Sequence, residues 1–507
     1  MDNTFGLYSL GEVPLGGLAN ADSGITATEL RRFASEHYVT KPTDALANEW
    51  FDGRLSQPLR LRNSVIGART PVGALARGEA TVVLLNGDGV LDPFLTQLGV
   101  AGREITVRSL RRGASHDTAV LLFRGVMEPP SGDLDQVTIN AAGRDRRLRQ
   151  RLNDTFAGTG GVEGGADRKG QQKPVVVGEA HGVPPVDLGL IGGLPSFLVA
   201  GGKSLPINDV TGAFDQAETL NKVGGTPAAG EYAIDTATGV LTTGAVPAFL
   251  TCNVQGYAPG GVWKQTVADV IEALLVDFGG VPNARLDGYA FQTLNQELSG
   301  VVGWWFGPDQ DVSVRGAVEV FTRGITAWAG FGRRDVFRIG RLKAPGGAIR
   351  NVFDDTNIED IAPVDGPTVM NPTAWIHEVG YERNFAVTRR FSASSTPEQR
   401  QFMESQWRVE SASDGDIQAR FPDSQPFFTE GVFRDSADAL ALAQHQVAVY
   451  KDRNLWRVRS GPVPAELDFG DTVLIDDARF GFDDTPATVL EYDGDTNADA
   501  VETVVFA

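Results

Sequence analysis

Short runs of β-branched and aliphatic residues, each cut off by glycine, recur along most of this 507-residue chain and constrain its fold more than any other feature. Thr81-Val82-Val83-Leu84-Leu85 ends in Asn86-Gly87-Asp88-Gly89, and similar runs follow at 104–108, 119–123 and 137–141. Runs this short, bounded by turn residues, read as antiparallel strands, and 60 glycines are available for the turns. A barrel or sandwich is the arrangement they favour. The pattern returns at 174–177 and 197–199, in a hairpin-like pair at 230–235 and 239–242, and at 250–254. It appears again at 336–342, 375–381, 455–459 and 471–475.

Helical spacing interrupts this pattern in three places. Val267, Val270, Ile271, Leu274, Leu275 and Phe278 share one face, with Thr266 and Asp269 at capping positions and Gly279-Gly280 at the end. A second helix is expected over 314–328, packed against the first, and a third over 436–450; a short helical possibility lies at 28–37. A chain this long is expected to form several domains. We read an N-terminal arm at 1–50, a β-barrel domain at 51–155 and an inserted β-rich domain at 156–262, opened by a glycine-rich loop at 156–172. A small α/β helical domain at 263–345 and a C-terminal β-barrel domain with one helix at 346–507 complete the chain. The fold class is therefore mainly β with α insertions.

Composition narrows the chemistry. Hydrophobic residues at 42% and charged residues at 22% are ordinary globular values. Cys252 is the lone cysteine, so no intrachain disulfide and no multi-thiolate metal site is available, in keeping with assembly in a reducing cytoplasm. The first 22 residues have neither a basic start nor an apolar run, and are expected not to be a secretory signal. No run approaches the roughly 18 uninterrupted apolar residues of a spanning helix, so no membrane span is expected. A net charge of −20 disfavours general binding to nucleic acid. The charge is uneven: residues 101–155 hold ten arginines against seven acids, including Arg144, Arg146, Arg147, Arg149 and Arg151. Residues 461–507 hold twelve acids against Arg479 alone, a balance of −11.

Several fragments of motifs invite a catalytic or metal-binding reading, and each fails at a required position. Gly202-Lys203-Ser204 ends like a phosphate loop, but Phe197 stands where the first glycine belongs. His377-Glu378 starts like a zinc-peptidase helix, yet Tyr381 replaces the second histidine and the segment alternates like a strand. The remaining histidines, His37, His116, His181 and His445, are scattered. Asn86, Asp88 and Asp92 have calcium-like spacing but lack a closing glutamate, so a hairpin turn is favoured. Asp354-Asp355, Asp476-Asp477 and Asp483-Asp484 are acid pairs of the type that glycoside cleavage uses, though surface acids in an acidic chain are the simpler account. Trp304-Trp305-Phe306 reads as core or interface. The 144–151 run suits either phosphate contact or an acidic protein neighbour, and we favour the neighbour.

The order of certain segments resembles a known family. Gly87-Asp88-Gly89-Val90-Leu91-Asp92, Gly102-Arg103-Glu104-Ile105-Thr106-Val107, Leu122-Phe123-Arg124-Gly125 and Arg144-Asp145 are similar to the N-terminal barrel of phage tail-tip and baseplate hub proteins. Val379-Gly380-Tyr381-Glu382-Arg383-Asn384, the alanine-rich helix from Ser436 and Leu467-Asp468-Phe469-Gly470-Asp471-Thr472-Val473 resemble the second hub barrel. Segments at 173–178 and 230–232 are similar to tail proteins of long-tailed phages. The resemblance runs over about residues 35 to 507 and lies in the order of short motifs.

It implies a structural virion protein and not an enzyme, with no catalytic residue, cofactor or metal. Two hub-type antiparallel β-barrels per chain would build a homotrimer at the tail tip, joining a six-fold tube to a three-fold tip. Tail tube, distal tail and central fibre or spike proteins would be the partners, and DNA would pass without specific binding. The region near 156–260 is an addition to the compact hub. Asp476, Asp477, Asp483 and Asp484 are candidates for an acidic channel lining or for a solvated outer face; Arg144, Arg146 and Arg147 are candidates for an interface. A tail-borne hydrolase of cell-wall or surface glycan, and a distal-tail or receptor-binding module, are the alternatives.

Overall fold

The computed structural model describes residues 7–16, 28–96, 99–451, 453–461, 467–495 and 501–507. Much of the expected arm, and parts of the acidic 461–507 region, lie outside them. The chain is mainly β, as its punctuated runs require. Strands β1 (Leu7–Gly16) and β2 (Thr28–Ala34) pair antiparallel and extend a sheet formed by five more: β3 (Leu55–Ser64), β4 (Leu75–Leu85), β5 (Glu104–Arg111), β6 (Val120–Met127) and β7 (Gln136–Ala142). The five lie side by side as β3-β4-β7-β6-β5, with β1 beyond β5. Alternation sets the inner face: Ile105 and Val107 of β5, and Val137 and Ile139 of β7, are buried while their neighbours are partly open or exposed.

The inserted region supplies eight strands of a nine-stranded sheet, among them β8 (Val175–Val183), the hairpin β9 (Glu231–Asp235) and β10 (Val240–Thr243), and β11 (Leu250–Tyr257). Its core holds Val176, Ala180, Tyr232, Leu241, Cys252 and Val254. Helix α1 (Val267–Ala273) follows, capped by Thr266, whose side chain accepts from the Asp269 N–H. Its last turn widens over Leu274–Phe278, where the Gly279 N–H donates to the Leu274 carbonyl at 3.0 Å. All six residues of the apolar face are buried. Helix α2 (Gly288–Glu297), strand β12 (Gly303–Phe306) and helix α3 (Val314–Gly324) complete this layer, and β12 pairs with β8, joining it to the inserted sheet.

Strands β13 (Ala327–Phe331) and β14 (Phe337–Arg341) form a hairpin; β15 (Ile349–Phe353) and β16 (Ile358–Pro363) follow. A small sheet of β17 (Ile376–Tyr381), β18 (Arg408–Ser413) and β19 (Phe427–Glu430) has β17 at its centre. Helix α4 (Ser436–Tyr450) buries Ala439, Leu442 and Ala443 in the same core as α1 and α3. The last strands are β20 (Leu455–Ser460), β21 (Thr472–Asp477), β22 (Phe482–Asp495) and β23 (Val501–Phe506).

Three expectations need correction. Residues 28–34 form β2 and not a helix, because β1 offers a full antiparallel ladder from Gly16↔Thr28 to Leu10↔Ala34. Helix α3 ends at Gly324 instead of near 328: Trp328 belongs to β13, which β14 pairs on one side and β4 on the other. Non-local pairing overrides local propensity in both cases. Helix α2 was not legible, and the 346–507 region holds three helices in place of one, since Pro397–Glu404 and Gly415–Arg420 are helical beside α4. Residues of β17 and α4 share the core of the 263–345 layer.

Candidate functional site

The C-terminal strands repeat the layout of the N-terminal ones. Reading across the sheet gives β16-β20-β23-β22-β21, with every neighbour antiparallel. Numbered by their sequence order within each unit, both sets of five run 1-2-5-4-3. Each unit also carries a further strand beyond its third: β1 beyond β5, and β15 beyond β21. The chain thus contains two five-stranded units of one topology.

They are joined where β3, the edge strand of the first unit, pairs with the C-terminal end of β22. Residues Glu491 to Asp495 of β22 pair antiparallel with β3, from Glu491↔Ser64 to Asp495↔Arg60. Arg62 reaches Glu491 at 3.1 Å, Arg60 reaches Asp493 at 3.4 Å, and the Ser64 hydroxyl donates to Glu491 Oε2 at 2.7 Å. Beneath the seam the units share one core, in which Leu61, Val82, Ile105, Phe123 and Ile139 meet Val458, Val473, Ile475, Val489 and Val505.

The turn between β13 and β14 locks the seam from one side. The Arg333 N–H donates to Asp468 Oδ2 at 2.9 Å, Asn63 Nδ2 donates to Asp468 Oδ1 at 3.2 Å, and the Arg333 carbonyl accepts from the Arg124 N–H at 2.8 Å. The Arg333 guanidinium lies 4.2 Å from the centre of the Tyr492 ring. A Cβ on Gly332 would come within 2.4 Å of Asp468 Oδ2, so only glycine lets the turn sit so close. Burial raises the Asp468 pKa, and the charges of Arg333 and Arg338 offset this only in part.

The candidate acids converge at one point. Asp476, Asp483 and Asp484 stand exposed around the tip of the β21–β22 hairpin. Slight desolvation by its neighbours, followed by the charges of Asp484, Asp483, Asp355 and Asp354, holds the Asp476 carboxyl above its ordinary pKa. Two of the three acid pairs contribute both members to the cluster. Asp477 differs, because its Oδ1 accepts from the Arg479 and Phe480 N–H groups at 2.9 and 3.1 Å and so caps the turn.

The arginine run is partly turned inward. Residues Arg144–Arg149 form a 3₁₀ helix that buries Leu148, with Leu152 buried just after it. Buried Asp145 receives Arg315 at 3.0 Å and Arg149 at 3.6 Å, and Arg151 meets Asp311 at 3.1 Å. Acids of the same chain therefore pair with Arg149 and Arg151 of this run. Arg147 is exposed; the side chains of Arg144 and Arg146 lie outside the described set.

The other motif fragments serve structure. Asp88 is paired with Arg54, and Asn86 donates to Asp92 Oδ1 at 2.8 Å within a turn. Asn153 Oδ1 accepts the Lys203 N–H at 2.8 Å in a strand-end turn. His377 is fully buried and stacked on Tyr450 at 5.4 Å, and burial pushes its pKa down to about 4. Trp304 is buried, with the Arg383 guanidinium 4.4 Å from the centre of its ring. Among the described residues no group of three or more His, Cys, Asp or Glu side chains is placed to hold a metal ion. Likewise, no helix is long and apolar enough to cross a membrane.

No protein-family model and no curated protein matches the sequence. Among solved structures, a 43 kDa tail protein of prophage MuSo2 from Shewanella oneidensis gives a TM-score of 0.42 at 8% identity, over 98% of each chain. A tail protein from Neisseria meningitidis MC58 gives 0.42 at 8% identity, over 98% of this chain and 96% of that one. A chain of the virion of a native gene transfer agent particle gives 0.43 at 12% identity, over 71% of this chain and 91% of that one. Two of these three structures are tail proteins and the third is part of a virion particle.

Proposed function

We propose that this protein is a structural, non-enzymatic component of a phage tail tip: the central baseplate hub, which joins tail tube to tip and forms part of the DNA exit channel. One observation carries the reading. Two units of the same 1-2-5-4-3 strand order are joined in one hydrogen-bonded sheet, over a shared core. Three copies of such a chain present six similar units, so a homotrimer matches six-fold and three-fold neighbours at once. The order of hub-like segments in the sequence supports the same reading. In this reading the chain assembles in the host cytoplasm and takes its place in the virion beside tube, distal tail and fibre or spike proteins.

The acidic hairpin tip suits a passage that must not retain DNA, because exposed carboxylates repel phosphates. Asp476, Asp483 and Asp484, backed by Asp354 and Asp355, are the residues for that lining. The same acids do not favour a glycan hydrolase: they crowd a solvent-facing turn, whereas that chemistry needs two carboxylates across a bound sugar. Electron microscopy of particles labelled on this chain tests the placement. A hub predicts label on the tail axis at the tip, and label on peripheral fibres would contradict it.

A further inference from the structure

The inserted β region meets residues 382–434 at a buried ionic joint centred on His181, which is only 7% exposed. His181 Nε2 lies 2.9 Å from Glu179 Oε1, and Nδ1 lies 3.1 Å from Glu382 Oε1, in the turn after β17. A carboxylate only accepts, so both ring nitrogens must carry hydrogen for both contacts to hold. A neutral imidazole has one N–H, and its remaining lone pair would face a carboxylate oxygen. This geometry is that of an imidazolium.

The surrounding charges complete the joint. Arg434 Nε reaches Glu179 Oε1 at 2.8 Å, closer than its 3.4 Å approach to the ring, and also pairs with Asp435 at 3.4 Å. Gln255 donates to Glu179 Oε2 at 3.2 Å, from β11. Arg408, on β18, lies 3.7 Å from Glu382 Oε2 and donates to the Glu382 carbonyl at 3.2 Å. Arg383 stacks instead on Trp304, Phe385 and Trp407. The backbones also touch: the Phe385 N–H donates to the His181 carbonyl at 3.3 Å, and Gly182, at φ +60°, lies where a Cβ would strike Asn384. Elsewhere across this boundary the Ser392 N–H donates to the Gln216 carbonyl at 2.8 Å, the Ser392 hydroxyl to Glu218 at 2.8 Å, and Gln399 to Thr219 at 2.9 Å.

We propose that His181 is a proton-operated clamp: its imidazolium holds the inserted β region against residues 382–434, and loss of that proton loosens the hold. The inference does not depend on the tail-tip reading. Burial alone would lower the His181 pKa, but the hydrogen bonds to Glu179 and Glu382 outweigh it and carry the pKa above its ordinary range. For Glu179 and Glu382 burial acts upward and is likewise outweighed, by His181 together with the nearby arginines, so both lie below the usual range. A raised imidazole pKa gives a hold that is complete below about pH 6.5 and is lost as pH climbs through the folded value. The lowered carboxylates give a hold present above about pH 4.3, lost only as pH falls through their folded values. The clamp is therefore closed in mild acid and opens on the alkaline side.

Amide hydrogen exchange of the full chain, followed over residues 384–396 from about pH 5.5 to 9 and corrected for intrinsic exchange, tests this. Opening should rise by up to about tenfold per pH unit above about 6.5 and then level off at the folded value. His181→Asn should leave the segment open throughout, without that rise. A flat wild-type profile, or a His181→Asn profile that follows the wild type, would overturn the clamp. If His181→Asn does not fold, Glu382→Gln carries the test. A rise that levels off at a lower pH than in the wild type supports the clamp, and one that levels off at the wild-type pH overturns it.

Discussion

Asp468 contacts side chains far away in sequence and ties three parts of the chain together. It accepts from Asn63 of the first unit and from the backbone of Arg333 in the β13–β14 turn, while sitting in the second unit. Removing its carboxylate leaves three buried donors without partners, Asn63 Nδ2 and the N–H groups of Arg333 and Phe469, and each such loss costs about 1–3 kcal/mol. Asp468→Ala should therefore lower stability by at least about 1 kcal/mol, seen as an earlier denaturant midpoint with an unchanged slope. An unchanged midpoint would show that the turn does not lock the seam. The sequence placed Asp468 within a hub-like motif, yet it gave no sign of partners 405 and 135 residues away. His181 and Glu382 were hidden for the same reason. The acids at the hairpin tip were legible as pairs but not as one cluster, since their convergence depends on the register of β21 with β22. Substituting Asp476→Lys and Asp483→Lys with Asp484→Asn leaves the capping Asp477 intact. A channel role predicts normal assembly with delayed or salt-sensitive DNA delivery into cells; unchanged delivery would rule it out for these residues.

At the scale of elements, strands whose inner residues alternate with polar ones, such as β5 and β7, were readable from sequence. So were α1, whose apolar face is unbroken, and α4, whose buried face is apolar but for Gln446. Elements decided by distant partners were not: β2 forms on β1, and β13 is drawn out of a helical pattern by β14 and β4. The seam belongs to this second class. Its ion pairs are largely open to solvent, with the Arg62 side chain 58% exposed, so each contributes at most about 1 kcal/mol. The shared core and the ladder do most of the joining. Arg62→Glu should cost no more than about 1 kcal/mol, and adding Glu491→Arg should restore most of the loss in a double-mutant cycle. A loss of several kcal/mol from the single change would mean that the seam is held by charge and not by the core.

For the molecule as a whole, the two-unit plan was expected from the order of hub-like segments, but the fusion of both units into one hydrogen-bonded sheet was not. No local pattern announces that residues near 60 and near 493 are neighbours. That fusion gives the account its strongest demand, because a rigid pair of like units leaves three copies as the simplest closed ring with six positions. It also explains why neither unit needs a complete core of its own. The mass of the purified assembly, taken alone and in isolated tails, tests this most directly. Three copies per assembly is the predicted result, and a protein that is strictly monomeric in both settings would contradict it.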